Sequence, residues 1–341
     1  MRVGRWSLLM LGLSATACAP TLGPSTPPVE VLVVLDSLDE MLRIIPVDSP
    51  SVVHHLAINT GSIAASAFAL HDRIAAVGFG DSVMMLDLGL HQIVCKQQLN
   101  GRGAVGALTF DNAGGQVYAA TPTTDSVAVI TVALCGVSQG SVRGRPQGFG
   151  VDARGIVYAL VSNPTVGWLI SQELPRDSIP LGPPGNTTAA VSASDGSLYV
   201  ISAGGGASTG VLTRIDPVQR TVLAGFSGFG RLPTSLATDG ADRVYVASPI
   251  EGLMVFNVRT HQVERGAGPS AVALPGGARG LATDDFGRIY TLITGSCGAL
   301  DHGIVQPLDV NLVAQHPITV GRCPIAIGVT EIPAALYHFD N

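Results

Sequence analysis

Charge is scarce in this chain: only 13% of its 341 residues are Asp, Glu, Lys or Arg, about half the share usual in soluble domains. Basic charge is scarcer still, with 19 Lys and Arg against 25 Asp and Glu, which argues against a nucleic-acid binder. Cysteine is limited to five residues, and no two of them have the two-to-four-residue spacing of a zinc site. Helical 3.6-residue periodicity is missing, which removes leucine-rich and helical repeats. No segment beyond the N-terminal apolar stretch approaches the length that spans a bilayer. What the chain has instead is 46% hydrophobic residues, 42 Gly and 22 Pro. That profile points to many short strands joined by tight turns.

Residues 1–17 read as a signal peptide, because Arg2 and Arg5 precede an apolar stretch too short to cross a membrane, followed by small residues. Ala15, Thr16 and Ala17 before Cys18 resemble the bacterial lipobox, in which the Cys becomes the lipidated first residue of a lipoprotein. An ordinary secreted chain with an incidental Cys18 is the alternative reading. Loss of residues 1–17 removes two Arg and no acid, leaving 17 basic against 25 acidic residues, a formal −8. Residues 18–29 then form a Pro-rich tether, "APTLGPSTPPV" after the Cys, whose prolines favour an extended conformation. Ala19 is not the Asp that retains such lipoproteins at the inner membrane, so the expected address is the cell envelope, lipid-anchored, at the outer rather than the inner membrane.

A repeat organises the rest. "GQVYAA", "GIVYAL", "GSLYVI", "DRVYVA" and "GRIYTL" place Tyr118, Tyr158, Tyr199, Tyr245 and Tyr290 at spacings of 40, 41, 46 and 45 residues. "DRIAAVG" puts Ala75 in the same slot 43 residues earlier, and "EVLVVLD" puts Val33 there another 42 residues upstream. Each such run except the one around Val33 follows a strand of small apolar residues, such as "SLATD" at Ser235 and "GLATD" at Gly280. The missing partner stands at the other end of the chain, where Ile325 to Val329 fits the pattern with no second strand after it. Two further strands per repeat follow from runs such as "GVLTRIDPVQRTVLAGF", with a turn at Asp216-Pro217.

The expected fold is therefore all-β, a seven-bladed β-propeller of four-stranded antiparallel blades over residues 30–332. The C-terminal strand completes the N-terminal blade, which removes exposed sheet edges, and residues 333–341 form a tail. "ITVGRCPIAIGVT" and "TDGADRVYVAS" resemble the YVTN-type and NHL-like propeller repeats. That resemblance implies a fold and no particular activity.

Four cysteines remain after Cys18, and an even number in an exported chain favours two disulfides out of three possible pairings. Cys95 and Cys135 occupy nearly equivalent fourth-strand positions of successive repeats, while Cys297 and Cys323 sit in loops that leave a blade from the same face. The register therefore selects Cys95–Cys135 and Cys297–Cys323.

For function, the connections entering the inner strands carry Arg102, Arg145, Arg231, Arg279 and Arg322. Guanidinium groups gathered around a central funnel suit an anionic ligand. Asp111, Asp152, Asp239 and Asp284 close the inner strands at their far ends, in hairpins where Asp caps its own backbone, so they read as turn formers. A metal-dependent lactonase or esterase of the gluconolactonase-like propeller type is the alternative activity. It needs hard oxygen ligands on the axis, for which Glu30 and Asn59 are the nearest candidates.

His54 and His55 are adjacent and face opposite sides of a strand, and His91 and His261 recur in equivalent turns. No local Ser nucleophile signature is present, so no catalytic residue and no cofactor is assigned. The reading is a non-catalytic monomeric scaffold that binds a protein, a glycan or a small anion and meets the membrane only through its lipid.

Overall fold

The computed structural model describes residues 26–337 except 62, 102, 143, 164–165, 173–176, 183–185, 204–208 and 299. Residues 1–17, read above as a signal peptide, Cys18, Arg102 and most of the glycine-rich stretch after Ala203 lie outside the described residues. Among the described residues, twenty-eight strands form seven sheets of four, every pairing antiparallel. In six blades the four strands are consecutive in the chain. The seventh places Pro324–Ile332 innermost, followed by Val29–Asp36, Met41–Pro46 and His54–Ala57. Val33 pairs with Gly328 across this seam, so the polypeptide closes into a ring through its two ends.

Closure follows from what the strands need. The second strand of each blade is buried on both faces; "VEVLVVLD" at Val29–Asp36 is apolar almost throughout and its last six residues are inaccessible. Strand alternation sends Val31, Val33 and Leu35 to one neighbouring blade and Leu32 and Val34 to the other. The same division recurs around the ring, giving seven apolar clusters, one at each interface between blades. Each fully buried Val or Leu contributes about 1.5–3 kcal/mol. An open array would expose two of these surfaces, one at each end.

Close approach of the inner strands requires small residues. A Cβ on Gly148 would lie 2.9 Å from the Thr188 carbonyl oxygen of the next blade, so a larger residue there would push two blades apart.

The Tyr repeat is explained by the hairpin that joins the first and second strands. Asp284 Oδ1 accepts the backbone N–H groups of Phe286 and Arg288 at 3.0 and 2.8 Å, while Oδ2 accepts the Tyr290 hydroxyl at 3.0 Å. Asp239 does the same with Ala241, Arg243 and Tyr245, and Asp152 with Arg154, Ile156 and Tyr158. Asp195 takes the Ser197 N–H and the Tyr199 hydroxyl. Where the spacing differs, Tyr118 donates to Gln116 Oε1 at 2.8 Å, and Asp111 accepts the Gln116 N–H. One carboxylate thus shapes the turn and satisfies a hydroxyl carried at the blade interface, and burial pushes the Tyr245 hydroxyl up to about 12. Asp and Tyr recur together because neither is well placed without the other.

Both disulfides form as the register requires. Cys95, in the fourth strand of one blade, is bridged to Cys135, in the turn that enters the fourth strand of the next, with Cα atoms 5.6 Å apart, and Cys297 and Cys323 join two loops at 4.5 Å. Such bridges belong to an oxidising, extracytoplasmic compartment. Among the described residues, no helix is long and apolar enough to cross a membrane.

Candidate functional site at the ring mouth

All seven inner strands run the same way, from one end of the ring to the other. Their starting ends surround a cavity of about 430 Å³, to which every blade contributes: Ser66, Gly106, Gln147, Thr188, Thr234, Arg279 and Ile325 each stand on its wall. The volume lies in the range of small-molecule sites.

Small hydroxyl residues brace this mouth. Ser66 Oγ donates to the Val105 carbonyl at 2.7 Å, Thr188 Oγ1 to that of Pro233 at 3.0 Å, and Thr234 Oγ1 to that of Arg279 at 3.0 Å. In each case the acceptor lies in the connection entering the next blade, so these groups hold neighbouring strand entries together. Arg279 and Gln147 are the long polar side chains on the wall, and both residues are exposed. No carboxylate lines the cavity among the described residues.

The five arginines expected around the funnel are therefore divided by the structure. Arg279 lines the cavity. Arg145 opens its inner strand and Arg231 lies in the loop before another, both exposed and at the same end of the ring. Arg322 turns away from the axis to Asp39, its Nε 2.5 Å from Oδ1. There it lines a second recess of about 650 Å³ with Arg43, His55 and Asn59. Arg102 lies outside the described residues.

Ion pairs occur at both ends of the ring. At the end carrying the Asp hairpins, Arg73 pairs with Asp87, Arg154 with Asp152, Arg220 with Asp177, Arg259 with Asp242 and Arg288 with Asp284. At the mouth end, Arg43 pairs with Asp36 and Asp39 and Arg322 with Asp39, whereas Arg145, Arg231 and Arg279 have no carboxylate partner among the described residues. Three guanidinium groups without a carboxylate partner thus stand at the mouth end of an acidic protein.

The residues considered for an axial metal do not converge. Glu30 lies at the hairpin end of the ring, 3.4 Å from Arg288, where burial and the nearby Asp284 charge raise its pKa. Asn59 stands at the opposite end, on the recess beside Arg322. Among the described residues no group of three or more His, Cys, Asp or Glu is arranged to hold a metal. The two adjacent histidines diverge, His54 packing edge-on to Tyr337 while His55 Nδ1 lies 3.4 Å from an Arg43 nitrogen. His91 and His261 occupy equivalent turns, both in the left-handed conformation.

The residues that sequence reasoning missed are Gln147, Thr188 and Thr234. Their shared signal is position, within the first residues of an inner strand or immediately before it, which becomes readable only once strand entries are known to meet.

No family model matches the chain, and no curated protein matches it. Among solved structures it is similar to a Kuenenia stuttgartiensis hydrazine synthase structure, with a TM-score of 0.61 and 14% identity over 80% of this chain and 96% of that one. The fold is what they share. At that identity nothing of the other protein's chemistry carries over to these residues.

Proposed function

We propose that this protein is an extracytoplasmic binding scaffold that takes a small anionic ligand, such as a carboxylate or an acidic sugar, at the mouth of its ring. The observation that carries this reading is Arg279, an exposed guanidinium on the wall of a cavity whose described lining holds no carboxylate. A planar cation in a concave site offers bidentate recognition of a carboxylate, and Gln147 adds a neutral donor and acceptor. Arg145 and Arg231 extend the positive field outward and would steer an anion toward the axis. Rigidity favours this use: seven apolar interfaces fix the strand entries, so little ordering accompanies binding. The repeat resemblance to YVTN-type and NHL-like propellers fits a scaffold role, and lipidation at Cys18 would hold the scaffold at a membrane.

The test is calorimetric titration of the purified protein with a set of mono- and dicarboxylates and uronic acids. Binding should weaken with salt, and Arg279→Ala should lower affinity tenfold or more while leaving the melting temperature within about 2 °C. Equal affinity in the variant would remove Arg279 from the site and this reading with it.

A further inference from the structure

We infer that the hairpin end of the ring, opposite the mouth, is a membrane-contact face that rests on a lipid bilayer. This rests on the lipid-anchor reading of Cys18 for its geometry, and on an independent asymmetry in the surface for its chemistry.

The asymmetry is in where apolar side chains are exposed. Seventeen large apolar residues are exposed among the described residues. Five of them, Leu38, Ile63, Leu232, Ile250 and Leu300, stand in connections at the mouth end. The other twelve lie at the opposite end, in its turns or on the strand residues next to them. Outer turns of four of the blades carry Leu90, Leu134, Val218 and Val313, and the Asp hairpin of the last blade carries Phe286, 72% exposed. Outer strands add Ile93 and Val94 beside Leu90, and Val222 and Leu223 beyond Val218. These residues come from blades spread around the ring, so they form a discontinuous rim rather than a single patch. Scattered apolar tips on one face suit shallow insertion into a planar surface better than a compact protein partner, which would need a contiguous apolar core.

Chain length selects the occupant. The described chain begins at Thr26, and Thr26 and Pro28 line one recess with Asp285 and Glu331 at this same end. Seven residues lie between Cys18 and Thr26, and the eight steps that join them reach, even fully extended, no farther than about 28 Å. A lipid on Cys18 therefore holds the bilayer near this face and away from the mouth. The described arginines of this end are paired with carboxylates, and Asp48, Asp72, Asp285 and Glu331 are exposed there, so contact relies on apolar insertion and not on attraction to anionic head groups. The same orientation points the mouth cavity at the aqueous compartment.

Depth-dependent quenching tests this with the full lipidated protein in phosphatidylcholine vesicles containing brominated lipid. In a Trp168→Phe background, single reporters Leu134→Trp, Phe286→Trp and Val313→Trp mark the hairpin end, and Leu300→Trp marks the mouth. Hairpin-end reporters should be quenched at least threefold more than Leu300→Trp, with no change on adding 0.5 M salt or anionic lipid. Equal quenching at the two ends, or stronger quenching at the mouth, overturns the proposal, as does absence of quenching at both.

The mass of the N-terminal peptide decides the anchor separately. An unmodified Cys18 removes the lipid-anchor reading, and the same quenching comparison, made with Cys18→Ser protein at excess vesicles, still decides whether this face meets lipid.

Discussion

The Asp36 carboxylate accepts the backbone N–H of Gly321 at 3.1 Å, although 285 residues separate them in the chain. Asp36 ends the first strand and Gly321 lies in the last strand of the preceding blade, so this bond crosses the seam where the ring closes. Arg43 Nε donates to the same oxygen, and the other oxygen has no partner. The side chain is wholly inaccessible. Burial, aided by the nearby Asp39 charge, pushes Asp36 up to about 6 despite Arg43 and the Gly321 N–H.

A raised carboxylate binds protons more readily folded than unfolded, so its ionised form destabilises the fold. This group's contribution to stability should therefore rise as pH falls from about 7 toward 4 and be lost again as pH climbs through about 6. The span from 3.8 to about 6 corresponds to at most about 3 kcal/mol. Melting curves of wild type and Asp36→Asn across pH 4 to 7.5 check it. The wild type should gain on the variant as the solution is acidified, and a constant difference between the two would refute the assignment.

Gly321 allows that seam to form. A Cβ at this position would collide with the Asp36 and Asp39 carboxylates. Gly321→Ala should cost about 2–4 kcal/mol, as overpacking against a buried charge does, measured by chemical unfolding. A variant as stable as wild type would show that the blade ends adjust freely.

The Asp hairpins predict a coupling. Asp284→Ala leaves two turn N–H groups, Arg288 and the Tyr290 hydroxyl without their acceptor, which should cost about 2–3 kcal/mol. Tyr290→Phe should cost about 1 kcal/mol. Combined, they should cost less than the sum, because each removes part of the same network. Strict additivity in a double-mutant cycle would mean that the hydroxyl and the turn are independent.

The disulfides close loops of 40 and 26 residues, which in the loop-entropy treatment gives about 4 and 3.5 kcal/mol. Cys95→Ser with Cys135→Ser, and separately Cys297→Ser with Cys323→Ser, should each lower the unfolding midpoint while leaving the strand content seen by circular dichroism intact. Loss of the fold in either pair would mean that the bridge directs ring assembly as well as holding it.

Much of this architecture is readable along the chain because each blade repeats the same local grammar. Alternating apolar strands, an Asp turn and a following Tyr recur at near-constant spacing, and an orphan strand at each end calls for closure. Even the cysteine pairing follows, since repeat position specifies which strands are neighbours. The candidate site was legible only in outline. Arg279 and Arg322 look equivalent in sequence, each entering an inner strand, yet Asp39, some 280 residues away, draws Arg322 into an ion pair and leaves Arg279 on the cavity. Gln147 and Thr234 carry no motif and gain meaning only from their position at converging strand entries.

The sequence by itself determined the number of blades, their strand order and the bridges between them, because those depend on hydrophobic period and turn chemistry within 40 to 46 residues. Only the tertiary structure decided which arginines keep an unpaired charge and which end of the ring bears the apolar tips. Those properties are sums over blades distant in the chain, and charge pairing and exposure are set by neighbours in space.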